Sequence, residues 1–297
     1  MGILDTRSNL RGRRAAIIGG AGGIGKAITM ALVDAEVDVA LCDIDETAVR
    51  TTKTEIEATR TNCVAEVADA LDAAQLRRFY SVTQAAFGHI DILVNVVGGV
   101  LMQPFMEKSP ESCASDIQRN FGYVLESTRL AVPLLRKSGR GGAIVNFTTI
   151  EAHRGAGGFA VYAAAKAATT NFSRAMAWEL GPEGIRINVV APDTTASEGN
   201  RKALPEPLQA VNAAAPPEWW DRSYKMYIPL GVPPSAEDLS NAVLFLVSDL
   251  SRSITGQVIH VDGGTAAALG MIRWSADENV TLPLPSGSTL AQLFGKK

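Results

Sequence analysis

Residues 17–27 read IIGGAGGIGKA. Ile17 and Ile18 close a short apolar run that begins near Arg13, and the stretch GIGKAITMALVDA beyond them has helical spacing. Glycines between a strand and a helix permit a tight turn. They also let backbone N–H groups at the positive helix N-terminus approach a pyrophosphate. Alone the pattern is weak, because glycine-rich strand–helix turns also serve packing. VDVALCDI at 37–44 is a second β-rich run, and it ends on Asp43, 18 residues beyond Gly25. A carboxylate there can accept hydrogen bonds from ribose hydroxyls and would repel a 2′-phosphate. No Arg or Lys lies inside GGAGG to offset it, so NAD is favoured over NADP. Asp45, which directly precedes a polar helical stretch, is the better helix cap.

The alternation repeats along the chain. CVAEV (63–67), IDILVNVV (90–97), GGAIVNFTT (141–149), GIRINVVA (184–191) and QVIHVDG (257–263) read as strands. Between them, ALDAAQLRRFYSVTQAAF (70–87), a region from 111 to 137, FAVYAAAKAATTNFSRAMAWEL (159–180) and AEDLSNAVLFLVSDL (236–250) read as helices. Short apolar strands alternating with amphipathic helices predict an α/β fold, a mainly parallel sheet covered on both faces. The alternation extends from about residue 13 to 262, which gives one dinucleotide-binding catalytic domain over 1–264 and a C-terminal extension over 265–297. Residues 193–230 interrupt it with Pro, Ala and an aromatic cluster around Trp219, Trp220, Tyr224 and Tyr227, and read as a substrate lid.

Composition narrows the partners. A formal charge of −3 without a block of like charge argues against a nucleic-acid surface. No apolar run reaches the roughly 18 residues of a membrane span, and the N-terminus lacks a signal-peptide core. MGILDT offers a myristoylation-like Gly2 and Thr6, a short pattern that recurs by chance and has no second anchor here. Cys42, Cys63 and Cys113 are scattered without metal-ligand spacing, so no metal site is expected and a reduced, cytoplasmic protein is.

Several spaced motifs together resemble the short-chain dehydrogenase/reductase family. Gly19, Gly23 and Gly25 match its Thr-Gly-x-x-x-Gly-x-Gly turn, with Ile18 in the Thr place. DILVNVVGG resembles its Asn-Asn-Ala-Gly element through Asn95 and Gly98, whereas Val96 and Val97 depart. RNFGY places Asn120 at the family's helix Asn. NFTT puts Thr149 at the catalytic Ser position, and YAAAK supplies Tyr162 and Lys166. RINVVAPD keeps Pro192 but has Asp193 in a Gly place, and residues 229–264 resemble the family's C-terminal segment.

The resemblance implies a single-domain Rossmann-type three-layer sandwich with a seven-stranded sheet, nicotinamide-dependent oxidoreduction, and a homo-oligomer, a tetramer or else a dimer. It also implies a cofactor-binding set of Gly19, Gly23, Ile24, Gly25, Asp43, Glu66, Val67, Asn95, Gly98, Tyr162, Lys166, Pro192, Thr195 and Ser197. Asn120, Thr149, Tyr162 and Lys166 would be catalytic, with Asn120 holding a relay water and Lys166 the nicotinamide ribose.

The residues themselves support that chemistry. Tyr162 and Lys166 at i and i+4 share a helix face. A nearby ammonium is expected to lower the phenol from ~10 by roughly one to three units, making Tyr162 a proton-transfer group at neutral pH. Thr149 keeps the hydroxyl of a Ser, with a methyl that takes up pocket volume. Thr148 is expected to face the other side of the sheet. His153 is a pocket-lining candidate, and Trp219 and Trp220 on the lid suggest a hydrophobic secondary alcohol or ketone as substrate. Thr149, Asp193 and the altered NVVG leave a rival reading, a catalytically silent NAD-binding sensor or scaffold. Enoyl reduction or dehalogenation on the same scaffold is another, since one fold hosts many functions.

Overall fold

Ala15, Ala16, Ile17 and Ile18 are fully buried, and their partners define the layers. Side chains alternate across a strand. Ala16 and Ile18 pack with Ala40, Cys42, Leu93 and Ile144 on one face; Ala15 and Ile17 pack with Val39, Leu41, Ile92 and Val94 on the other. A strand buried on both sides needs helices on both sides, the condition that parallel sheets meet.

The computed structural model describes residues 3–100, 102–195, 209–210, 213–268, 272–273 and 281–282. Its strands are β1 (Arg14–Ile18), β2 (Asp38–Asp43), β3 (Cys63–Val67), β4 (Ile92–Asn95), β5 (Gly142–Phe147), β6 (Ile185–Pro192) and β7 (Val258–Val261). They form one seven-stranded sheet in the order β3-β2-β1-β4-β5-β6-β7, parallel throughout. The expected Rossmann-type three-layer sandwich is therefore what forms.

After a short α1 (Ile3–Ser8) come α2 (Gly23–Asp34), α3 (Glu46–Glu57), α4 (Ala73–Phe87), α5 (Pro110–Ile117), α6 (Tyr123–Lys137), α7 (Ala160–Leu180), α8 (Pro217–Tyr227) and α9 (Ala236–Val247). α4, α6 and α7 cover one face through Leu76, Phe79, Tyr123, Leu135 and Leu180. α2, α3 and α9 cover the other through Ile28, Leu32, Val49, Ile56, Leu239 and Val243. Local chemistry sets the helix starts. Asp45 accepts from the Ala48 N–H at 3.0 Å, as the sequence suggested, and Ser235 with Asp238 forms a capping box on α9.

The strand order reverses between β1 and β4. In an open parallel sheet that reversal opens a crevice beyond the carboxyl ends of the strands. Asn95, Thr148, Thr149 and Asp193 all lie at or just past those ends. Among the described residues no helix is long and apolar enough to cross a membrane.

Candidate active site

The glycine turn is fixed by backbone sterics. Gly19 has φ +85°, and a Cβ there would meet the Val97 side chain at 2.8 Å; at Gly25 a Cβ would fall 1.7 Å from the Gly19 carbonyl oxygen. No other residue fits either place. Thr29 Oγ1 donates to the Gly20 carbonyl at 2.8 Å and Thr52 Oγ1 to that of Ala21 at 3.2 Å, pinning the turn from below. α2 begins behind it with Gly22 as cap, which supplies no capping side chain, and with no acidic residue in its first turn. Space around Gly22 and Gly23 is open. Orphan helix N–H groups facing an open approach are what a pyrophosphate requires, so the turn fits the diphosphate of a dinucleotide.

Asp43 closes β2 beside this turn. Its Oδ2 accepts from the Ala21 N–H at 3.1 Å and its Oδ1 from the Asp45 N–H at 3.3 Å. The carboxylate is thus held at the rim of the turn, where ribose hydroxyls would meet it. Val67 pairs with Asp43 across β2 and β3, and Glu66 is engaged with Arg78 at 3.2 Å.

Asn95 does not face the crevice. Its amide donates to Asn146 Oδ1 at 2.8 Å and accepts from Ser127 Oγ at 2.7 Å, in a buried network that ties β4 to β5 and α6. Asn95 is fully buried and is not among the residues lining the cavity. Asn120 lies on a single π-turn, Gln118–Gly122, between α5 and α6, the kind of irregularity found at functional sites. Its Oδ1 accepts from the Gly99 N–H at 3.1 Å, and its Nδ2 donates to the carbonyls of Gly99 and Asp116, both at 2.9 Å. These bonds clamp the loop after β4. Gly98 lies so close that a Cβ would stand 2.7 Å from Lys166 Nζ and 3.1 Å from Asn120 Oδ1.

Thr149, Tyr162 and Lys166 line one cavity of about 450 Å³ with Ile24, Gly98, Pro192, Asp193 and Thr195. Thr148 lines it as well. The alternation that would have turned Thr148 away ends with β5 at Phe147, so both threonines border the cavity. Ser197 lies outside the described residues.

The electrostatics reverse one expectation. The Tyr162 phenol is pushed up to about 12, not down. Burial is the main cause, opposed by hydrogen bonding with Thr149 and reinforced by the Glu151 and Asp193 carboxylates. Lys166 does not offset this. Its Nζ donates to the Phe147 carbonyl at 2.9 Å, and burial depresses it to about 7, so at neutral pH it carries only part of a charge.

Glu151, backed by Arg154, gives the cavity a polar wall that the sequence reading passed over. Thr149 Oγ1 donates to Glu151 Oε2, and Arg154 Nη2 donates to Glu151 Oε1 at 2.8 Å. Arg154 Nη2 also donates to Tyr227 Oη at 2.6 Å, and Tyr227 Oη donates to Asp193 Oδ2 at 2.7 Å. The Arg154 guanidinium carbon stands 5.6 Å from the Tyr227 ring centre. Asp193, which departs from the family's Gly, therefore ties α8 to the end of β6. Glu151 and Arg154 stand within five residues of Thr149 in sequence and could have been singled out there; nothing local links Tyr227 to Asp193.

Three substrate candidates lie elsewhere. His153 packs edge-on against His260, ring centres 4.9 Å apart, and is exposed. Trp219 is 68% exposed and borders a separate groove with Met226 and Ile272. Trp220 packs on Tyr224. Tyr227 borders the groove of Trp219 as well, but its hydroxyl reaches Asp193, whereas neither tryptophan lines the Tyr162 cavity.

A family model described as enoyl-(acyl carrier protein) reductase matches residues 19–266. The chain is 31% identical over 259 residues to D-erythrulose reductase of Gallus gallus, covering 86% of this chain and 96% of the relative. It is 31% identical over 261 residues to L-xylulose reductase of Bos taurus, covering 87% and 98%. Among solved structures it resembles carveol dehydrogenase from Mycobacterium avium in complex with NAD, with TM-score 0.81, 26% identity and coverage of 88% and 99%. It also resembles a 7α-hydroxysteroid dehydrogenase complexed with NADH and 7-oxo glycochenodeoxycholic acid, with TM-score 0.78, 28% identity and coverage of 89% and 98%. With the glycine turn, the Thr149–Tyr162–Lys166 cavity and these likenesses in place, the chain belongs to the short-chain dehydrogenase/reductase family of oxidoreductases.

Proposed function

We propose that this protein is an NAD-dependent oxidoreductase of a secondary alcohol or ketone with an apolar body, with Tyr162 as the general acid/base. The observation that carries the reading is the convergence of Thr149, Tyr162 and Lys166 on one cavity whose walls include Val96, Val100, Phe147 and Phe159. The nicotinamide, when bound, supplies the hydride chemistry. The chain's own residues do the rest. The glycine turn and the α2 N-terminus would hold the diphosphate, Asp43 the adenosine ribose, and Lys166 the second ribose. Thr149 and Tyr162 would receive the substrate oxygen. A phenol held up by burial is protonated at neutral pH and gives its proton to a developing alkoxide; in the oxidative direction it must first lose that proton.

Asp43 and the absence of a cation within GGAGG support NAD, as do the NAD and NADH named with the two similar solved structures. We place residues 1–264 in one catalytic domain with 193–230 as a substrate lid reached through Tyr227, and 265–297 as an extension. A homo-oligomer, tetramer or dimer, and a cytoplasmic setting suited to three free cysteines belong to the same reading. Thr149 and Asp193 are what the silent-sensor alternative rests on, and the intact Tyr162, Lys166 and Asn120 count against it.

The test is NADH-linked absorbance change with a panel of neutral secondary alcohols and ketones, the wild-type protein beside Tyr162→Phe. Turnover that the substitution abolishes supports the assignment. Turnover that survives it removes Tyr162 from the chemistry, and tight NADH binding without turnover across the panel favours the sensor.

A further inference from the structure

From the wall built by Glu151 we infer that the site recognises a second hydroxyl on the carbon next to the reacting one, so that the preferred substrates are vicinal diols and the corresponding α-hydroxyketones. The inference rests on the reading that an alcohol or ketone oxygen binds between Thr149 and Tyr162, and names Glu151 as the specificity residue of that site. The Glu151 side chain is 14% exposed and lines the same cavity as Tyr162. Arg154 pins one of its oxygens, and the Thr149 hydroxyl reaches the other. A carboxylate oxygen offers two lone pairs, so each retains capacity for a further donor.

The spacing matches the chemistry. Glu151 Oε2 and Thr149 Oγ1 are direct hydrogen-bond partners, and the oxygens of a vicinal diol, on adjacent carbons, are about a hydrogen bond apart, ~2.8 Å, so one can meet Thr149 while the other meets Glu151. With the reacting oxygen against Thr149 and Tyr162, the neighbouring hydroxyl falls to Glu151. By donating there it competes with the Thr149 proton, and a released Thr149 hydroxyl donates to the reacting oxygen instead. A carboxylate accepts from a hydroxyl but repels an anion. Of the described cations at the Glu151 wall, Lys166 is buried and bonded to a carbonyl, and Arg154 is already shared between Glu151 and Tyr227. The wall therefore selects neutral, hydroxyl-bearing compounds over carboxylates.

The experiment compares binding of 2-hydroxycyclohexanone and cyclohexanone to NADH-saturated protein in a Tyr162→Phe background, where proton transfer is blocked, by titration calorimetry. Hydrogen bonds to charged acceptors suggest a preference of about tenfold for the hydroxyketone. Glu151→Ala should bring the two affinities level, and Glu151→Gln, a neutral partner of the same shape, should leave an intermediate ratio. Equal or absent binding of the two ketones with Glu151 in place overturns the inference, as does a preference that survives Glu151→Ala. Turnover by the protein with Tyr162 intact is measured beside it. A Glu151-dependent binding preference without turnover would sink the oxidoreductase reading and leave this one standing.

Discussion

Replacing Tyr227 by Phe deletes one oxygen and tests whether α8 closes the cavity. That oxygen receives a hydrogen bond from Arg154 at 2.6 Å and gives one to Asp193 at 2.7 Å, both charged partners. The ring stays, and with it the contact to the guanidinium. Hydrogen bonds to charged groups contribute about 1.5–3 kcal/mol each in favourable settings. Here the side chains are partly solvated, with Arg154 31% exposed, so water replaces much of the loss and a net cost of about 1–2 kcal/mol is reasonable. On an open–closed equilibrium that is roughly 5- to 30-fold. The expected result is a substrate KM raised by about that factor, kcat changed much less, and NADH affinity unchanged, together with faster amide exchange across residues 217–227. Asp193→Asn keeps an acceptor for Tyr227 and should behave nearly as wild type, whereas Asp193→Gly should mimic Tyr227→Phe. An unaltered KM and unaltered exchange in Tyr227→Phe would refute the latch.

Two further outcomes follow from the site. Thr149→Ala should lower kcat/KM by about 10- to 100-fold, the loss of one hydroxyl at the reacting oxygen, and Thr149→Ser should restore it; an Ala variant at full rate would remove Thr149 from the chemistry. Lys166 supplies the pH test. Its folded value of about 7 lies below its unfolded 10.5, so above pH ~7 the unfolded chain binds the extra proton and stability rises with pH, by about 2 kcal/mol from this group between pH ~7 and ~9. At higher pH Cys42 and Cys63, raised by burial to about 12 and about 11, act in the opposite sense. Lys166→Met should flatten the rise in denaturant midpoint between pH ~7 and ~9, and a Met variant with the wild-type slope would contradict the burial argument.

The positions best read from sequence are those whose conformation is local. Ile17, Ile18 and the glycines announce a strand–turn–helix because side-chain alternation and positive φ are properties of a few consecutive residues. Asp45 as a cap is legible for the same reason, and Tyr162 and Lys166 share a helix face by their spacing alone. Thr148 shows the limit of such rules, since it lies beyond the last paired residue of β5, where alternation no longer governs direction.

What sequence alone determined was the α/β alternation, the parallel three-layer sheet, the glycine turn with Asp43 at its rim, and the company of Thr149, Tyr162 and Lys166. Tertiary structure decided what those groups do to one another. Spacing says that Tyr162 and Lys166 lie on one face; only packing shows that Lys166 Nζ donates a hydrogen bond to the Phe147 carbonyl and loses charge to burial. Asp193 looks like an unwelcome charge in the sequence and becomes an anchor once Tyr227, 34 residues away, is brought to it. Trp219 and Trp220 look like part of the substrate pocket in the sequence, and in the fold neither lines the Tyr162 cavity. Charge, solvation and hydrogen-bond pairing depend on distances through space, and those are set by which helix covers which face of the sheet, not by the order of residues along the chain.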